Sequence, residues 1–170
     1  MKYAVVYSTR TGNTEKLADA VKKTLGNREV VYFGLPDDRA FESDVIFVGF
    51  WTDRGKPNGE IEAVLKTLKD KKVFLFGSAG FGGEEKYFEK ILKKAERLLS
   101  SDNQVIGAFM CQGKMPMSVK ERYQKMANGV IKVPHLDQLI DNFDKALSHP
   151  DERDLAALSE KVQDALNSLS

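Results

Sequence analysis

Ser8-Thr9-Arg10-Thr11-Gly12-Asn13-Thr14 stands between the apolar run Tyr3-Ala4-Val5-Val6-Tyr7 and a stripe formed by Leu17, Val21 and Leu25. The run is β-branched and aromatic, as a buried parallel strand requires. The stripe recurs every four residues, the spacing of one face of a helix over Asn13 to Leu25. The loop between them carries four hydroxyl side chains, one amide and one glycine in seven residues. Such a loop, opening a helix, suits a phosphate monoester. Backbone N–H groups at the helix N-terminus point at the anion, and Ser and Thr hydroxyls add donors. Gly12 admits a close backbone approach. The plainer reading is a turn in which Asn13 or Thr14 caps the helix. Arg10 either neutralises the phosphate or faces solvent. Neither the Gly-Lys-Ser/Thr ending of a nucleoside-triphosphate loop nor the GxGxxG fingerprint is present.

Outward from this loop, strands and helices alternate. Glu29–Phe33, Asp44–Phe50, Lys72–Gly77 and Gln104–Met110 read as strands. Glu60–Lys69 reads as a helix on Ile61, Val64, Leu65 and Leu68, and a longer one starts near Glu84. Val119–Met126 and Leu136–Leu147 follow, the latter with Leu139, Ile140, Phe143 and Leu147 inward. After Pro150, Asp151 caps a last helix bearing Leu155, Leu158, Val162, Leu166 and Leu169. The pattern is α/β: right-handed crossover units building a doubly wound, five-stranded parallel sheet. A single domain, 1–170, is expected, with the sheet and its loops in 1–113 and helices in 114–170. Ligands of such sheets sit at the carboxyl ends of the strands, where strand order reverses.

Two further strand-end loops have ligand-like composition. After the third strand come Trp51, Thr52, Asp53, Arg54 and Gly55, and Trp51 is the only tryptophan. A large aromatic here either stacks on a flat heterocycle or packs in the core. After the fourth strand, Gly77-Ser78-Ala79-Gly80-Phe81-Gly82-Gly83 holds four glycines in seven residues. Glycines let backbone lie against a ligand, and Phe81 among them reads as a stacking plate or as a ring folded back on the core. At the end of the fifth strand, Gln112 is a candidate for a ring edge, Cys111 reads as a buried, unreactive thiol, and Lys114 as a surface charge.

The phosphate loop resembles that of flavodoxins, whose pattern Ser/Thr-x-Thr-Gly-x-Thr is matched in register by Thr9 to Thr14. The resemblance covers about residues 1–113 and implies strand order 2-1-3-4-5 and bound FMN. It implies a phosphate site at Ser8 to Thr14, a ring wall from Trp51 and its neighbours, and an outer plate from Phe81 with ring-edge contacts from Ser78 to Gly83. Position for position, Asp53 falls where the family's stacking residue sits. Gly55 is offset from the glycine whose neighbouring peptide turns toward the half-reduced flavin. The uninterrupted fifth strand resembles the short-chain group, while Val130 to Ser170 add helix beyond the minimal fold. A narrower resemblance runs through Phe50-Trp51-Thr52-Asp53, the Phe81 loop and Cys111 to Pro116. It is to family members of anaerobic gut bacteria that accompany the reductase converting bilirubin to urobilinogen. It implies electron delivery to protein redox partners, that reductase included. The rival expectation is an FMN-dependent NAD(P)H oxidoreductase acting on quinones or flavins, although no nicotinamide motif is present. A receiver domain is disfavoured, because Ser8 and Phe50 stand where it needs acidic residues. A flavin-free module on the same fold is the remaining reading.

Composition narrows the field from another side. The chain has 170 residues, 42% apolar and 30% charged, which is ordinary globular chemistry. Lys and Arg total 26 against 25 Asp and Glu, a net charge of +1, so no basic excess points to nucleic acid. One cysteine excludes an intramolecular disulfide framework or a multi-cysteine metal site, and His135 and His149 read as helix-boundary residues. No targeting or membrane-spanning stretch is visible, and a cytoplasmic monomer is expected. At +1 there is no strong net field, so docking of a partner must rely on a local patch.

Overall fold

The computed structural model of the chain describes residues 1–81 and 84–170. Its strands are β1 (Tyr3–Tyr7), β2 (Val30–Gly34), β3 (Val45–Asp53), β4 (Lys56–Pro57), β5 (Lys72–Ala79) and β6 (Gln104–Gln112). Its helices are α1 (Asn13–Leu25), α2 (Gly59–Thr67), α3 (Glu85–Glu96), α4 (Met117–Ala127), α5 (Leu136–Ala146) and α6 (Glu152–Ser168), with a 3-10 turn over Asp38–Glu42. Five strands pair in the order β2-β1-β3-β5-β6, and every one of these pairings is parallel. With the two-residue β4 set aside, this is the expected doubly wound order.

Successive residues of a strand point to opposite faces, so one strand feeds two cores. Val5, Phe47, Phe74 and Phe76 face α1 and α6, meeting Leu17, Val21, Leu158 and Val162. Val6, Ile46, Val48 and Leu75 face α2 and α3, meeting Ile61, Leu65 and Ile91. Where both faces must close tightly, glycine alternates with phenylalanine across the strands. Gly49 lies opposite Phe76 and Gly77 opposite Phe50 in the β3–β5 register. A Cβ on Gly49 would fall 2.4 Å from the Phe76 ring, and one on Gly77 2.5 Å from the Phe50 ring.

Several boundaries depart from the expectation. β3 runs three residues past Phe50, through Trp51, Thr52 and Asp53, because the chain reverses and pairs β4 antiparallel to it. Arg54 and Gly55 make the turn with φ of 52° and 77°. Positive φ at both central residues matches the twist of a two-residue hairpin. Ser78 and Ala79 belong to β5, and Cys111 and Gln112 to β6, so both strands end beyond their expected limits. Leu147, expected inward, is exposed because α5 stops one residue before it.

α4 and α5 form a small unit between β6 and α6, with its own core of Tyr123, Leu136 and Phe143. Asp151 caps α6 through a reciprocal pair: its carboxylate accepts the Asp154 N–H at 3.0 Å, and the Asp154 carboxylate accepts the Asp151 N–H at 2.9 Å. No helix among the described residues is long and apolar enough to cross a membrane.

Candidate functional site

The carboxyl ends of β1, β3, β5 and β6 surround a cavity of about 450 Å³. That is within the usual range for a small-molecule site. Four strand-end segments reach it: Arg10, Thr11 and Asn13; Trp51 to Gly55; Ser78, Gly80 and Phe81; and Gly113 to Pro116. Tyr87 of α3 and Val119 and Arg122 of α4 complete the wall. Three separate candidate loops therefore meet in one hollow at the β1–β3 reversal point.

The floor is the N-terminus of α1. Its N-cap is Gly12, with φ of 85°, and no side chain caps it. Asn13 and Thr14 are thus not caps. The first amides of any helix lack intrahelical partners, so those of Asn13, Thr14 and Glu15 are available to a ligand. The Gly12 amide is already used, donating to Thr9 Oγ1 at 3.1 Å. Thr14 is fully buried and Asn13 nearly so. Thr14 Oγ1 and Asn13 Oδ1 have no hydrogen-bond partner among the described residues. Buried polar atoms without partners are rare and costly, so a pair of them at a helix N-terminus suits a place where a ligand is held. The Thr14 methyl faces Gly49, where a Cβ would sit 3.0 Å from it.

The β6–α4 turn closes against this floor. Asn13 Nδ2 and Thr11 Oγ1 both donate to the Lys114 carbonyl, at 2.9 and 3.2 Å. Gly113 makes that approach possible, since a Cβ there would lie 2.5 Å from Asn13 Nδ2. Lys114 reads in the sequence as a surface charge, but here its backbone oxygen is the atom in use.

The aromatic walls are Trp51 and Phe81. Asn58 pins Trp51 by two bonds: the Asn58 N–H donates to the Trp51 carbonyl at 3.0 Å, and Asn58 Oδ1 accepts the Trp51 N–H at 3.3 Å. Arg10 places its guanidinium 5.5 Å from the centre of the Trp51 ring, within cation–π range. Thr52 Oγ1 donates to the Ser78 carbonyl at 2.8 Å, tying the second and third loops together. Phe81 is 43% exposed, so it does not fold back onto the core.

Gln112 does not line the cavity. Its Nε2 donates to the Gly80 carbonyl at 3.1 Å and to Asn142 Oδ1 at 3.0 Å, while Asn142 Nδ2 donates to the same Gly80 carbonyl at 3.0 Å. It therefore acts on the loop that bears Phe81. Ser8, Thr14 and Ala79 are buried, Thr9 and Gly12 are half-buried, and Ser8 Oγ donates to Glu60 at 3.4 Å. Gly82 and Gly83 lie outside the described residues. Arg122 and Asn142 have no signal in the sequence, because each arrives from a helix distant along the chain from the loops it meets; Tyr87 sits in the first turn of α3, just after the glycine-rich loop.

The charged side chains lining the cavity are Arg10, Arg54, Lys114 and Arg122 against Asp53. Burial raises the Tyr87 hydroxyl above its ordinary value and raises the Cys111 thiol strongly. Cys111 is 4% exposed and is therefore an inert thiol. His149, Asp151 and Asp154 place ligand-type atoms close together. The α6 capping pair and the 2.6 Å contact of His149 Nδ1 with Asp154 account for that geometry.

The model of the Flavodoxin domain matches residues 4–163 of this chain. A flavodoxin-like domain-containing protein BilS of Clostridium symbiosum is 38% identical over 174 residues, covering 92% of each chain. The protein of that description from Clostridioides difficile is 32% identical over 162 residues, covering 91% of this chain and 90% of its own. Among solved structures, oxidised Flavodoxin 2 from Bacillus cereus superposes with a TM-score of 0.57 at 18% identity, covering 99% of both chains. At that identity the likeness speaks for the fold alone.

Proposed function

This chain belongs to the flavodoxin family, and on that premise we propose that it holds FMN in the strand-end cavity and carries electrons to a partner reductase. The observation that carries this reading is the pair of buried, partnerless atoms at the start of α1, Thr14 Oγ1 and Asn13 Oδ1. They suit the two polar parts of FMN. A threonine hydroxyl and free helix amides donate to phosphate oxygens, and an amide oxygen accepts from a ribityl hydroxyl.

When bound, FMN supplies the redox chemistry. The chain's residues bind and orient it. Thr11, Asn13, Thr14 and the α1 amides would hold the phosphate end. Trp51 and Phe81 would flank the ring, with Arg10 leaving the Trp51 face that the ring takes. Backbone groups from Ser78 to Phe81 would meet the ring edge. Asp53 places negative charge near the ring and so opposes an anionic reduced form by repulsion.

The finer reading is that the acceptor is a bilirubin reductase. Its support is the resemblance along Phe50 to Asp53, the Phe81 loop and Cys111 to Pro116, together with the identity to the two BilS proteins. The primary test is direct. Purified protein incubated with FMN and then desalted should keep a yellow flavin absorption and show quenched emission from Trp51, its only tryptophan. Protein that stays colourless, with unaltered emission, would overturn the reading. Rapid NADPH-driven quinone reduction by the isolated protein would replace the carrier with an enzyme.

A further inference from the structure

We propose that the α4–α5 unit, with the adjoining cavity mouth, is the docking face for a redox partner whose contact surface is acidic around an apolar centre. This rests on the electron-carrier reading above. The unit is not required to complete the sheet, yet it stands beside the cavity and keeps apolar side chains in water. In the connection between α4 and α5, Val130 is 103% exposed and Ile131 82% exposed. Two adjacent β-branched residues held in solvent contribute nothing to the fold, and such a patch rimmed by polar groups marks an interaction site.

The patch is continuous with the cavity. Val119, Arg122 and Met126 of α4 are spaced i, i+3 and i+7, which sets them on one helix face. Val119 and Arg122 line the cavity. Met126 shares a second hollow with Ile131 and Lys132. One stripe therefore runs from the cavity mouth to the exposed Val130–Ile131 pair.

Charge identifies the partner. Over α4 and its flanking turns, residues 114 to 132, five cations stand against the single acid Glu121, although the whole chain is at +1; α5 adds Asp137, Asp141 and Asp144 against Lys145, of which Asp141 is paired with Lys145 and Asp144 with Lys120, leaving Asp137 at the second hollow. Lys120 is paired with Asp144 at 2.8 Å. Lys114, Arg122, Lys125 and Lys132 have no carboxylate within ion-pair distance among the described residues. From Asp151 onward the balance reverses, with five acids against two bases. A partner with an acidic surface is drawn to α4 and its flanking turns, beside which the cavity opens. Complementary charge of this kind sets encounter rate and orientation, while the apolar centre supplies contact area.

The test uses the full-length, FMN-loaded protein, reduced without oxygen and mixed with one haem protein in two charge forms. These are native cytochrome c, which is basic, and cytochrome c succinylated on its lysines, which is acidic. Each haem iron takes one electron from the reduced flavin. The acidic form should react about tenfold faster or more at low ionic strength, and the gap should close as salt is raised. Lys125→Glu with Lys132→Glu, neither of which lines the cavity, should cut that preference severalfold while FMN content stays unchanged. Val130→Ser with Ile131→Ser should slow the acidic form without altering the salt slope. A preference for the basic form, or equal rates at every salt concentration, would overturn the proposal. So would sedimentation with phosphatidylserine-containing vesicles that the Lys125 and Lys132 substitutions abolish, since that would assign the face to a membrane. Failure to bind FMN marks loss of the carrier reading itself; bound FMN without charge preference marks loss of the docking face alone.

Discussion

The Asn13 side-chain amide donates to the backbone carbonyl of Lys114 at 2.9 Å, joining positions 101 residues apart. Thr11 donates to the same oxygen. The loop proposed to hold the phosphate is thereby fastened to the turn that follows the last strand of the sheet. The fastening uses the Asn13 donor end and leaves its oxygen, with the Thr14 hydroxyl, partnerless. On the proposed reading these contacts organise the phosphate end before the ligand arrives, which lowers the ordering cost of binding.

The Thr14 hydroxyl bonds nothing within the described protein, so its removal acts on the ligand more than on the fold. Thr14→Ala should weaken FMN binding by about 1–3 kcal/mol, the range for a hydrogen bond to a charged group. Thr11→Ala should weaken binding by a similar amount, although it also gives up the bond to Lys114. Fluorescence titration of the FMN-free protein measures both. Unchanged affinity in Thr14→Ala would assign the loop to structure alone.

Gly113 is the residue that lets the turn come close. An added Cβ would lie 2.5 Å from Asn13 Nδ2 and 3.0 Å from the Ser78 Cβ. Either Asn13 swings away or the β6–α4 turn lifts. Gly113→Ala should therefore cost about 1–3 kcal/mol in denaturant unfolding, as overpacking does. It should also weaken FMN binding, because Asn13 moves with the clash. Full stability together with full affinity would show that the turn shifts freely.

Much of this architecture was readable locally. Tyr3–Tyr7, the Leu17, Val21 and Leu25 stripe and the hydroxyl-rich loop each declare themselves within a few residues, through side-chain period and polarity. Asp151 as the α6 cap was readable for the same reason. The β3–β4 hairpin was not. Asp53-Arg54-Gly55-Lys56 has the composition of a loop, and only the pairing of Thr52 with Pro57 makes it a turn between strands. Gln112 and Asn142 meeting on the Gly80 carbonyl was equally hidden, because the partners lie 30 to 62 residues apart. The role of Lys114 rests on a backbone oxygen, which no side-chain pattern reports.

Gln112 and Asn142 share one acceptor and bond each other, so their contributions should not add. Gln112→Ala and Asn142→Ala should each cost about 0.5–1.5 kcal/mol in unfolding free energy. The double variant should cost less than the sum, by roughly 0.5 kcal/mol or more. Each single variant should also speed amide exchange at Phe81, since the preceding carbonyl loses a donor. Strict additivity with unaltered exchange would mean that α5 does not hold this loop.

Asp151 provides a pH test of the α6 cap. Its carboxylate is lowered from the ordinary carboxylate value, first by accepting the Asp154 N–H, with further lowering from nearby His149 and from the Arg153 N–H, against a smaller desolvation effect. A carboxylate that is more acidic in the folded state stabilises it at pH above the unfolded value of about 3.9. That contribution is lost as pH falls through the lower folded value. Asp37, held at about 2 chiefly by the Arg39 side chain, as well as Asp44 and Asp102, shifts in the same direction. The informative comparison is therefore between the unaltered protein and Asp151→Asn. Asparagine still caps a helix but does not titrate in this range. Between pH 7 and 5 the unaltered protein should unfold at the higher denaturant concentration, because the charge is then present in it and absent from Asp151→Asn. Below about pH 4 the midpoint of the unaltered protein should fall more steeply than that of Asp151→Asn. Parallel curves down to pH 2 would show that the Asp151 charge contributes nothing to holding α6 against α1 and the sheet.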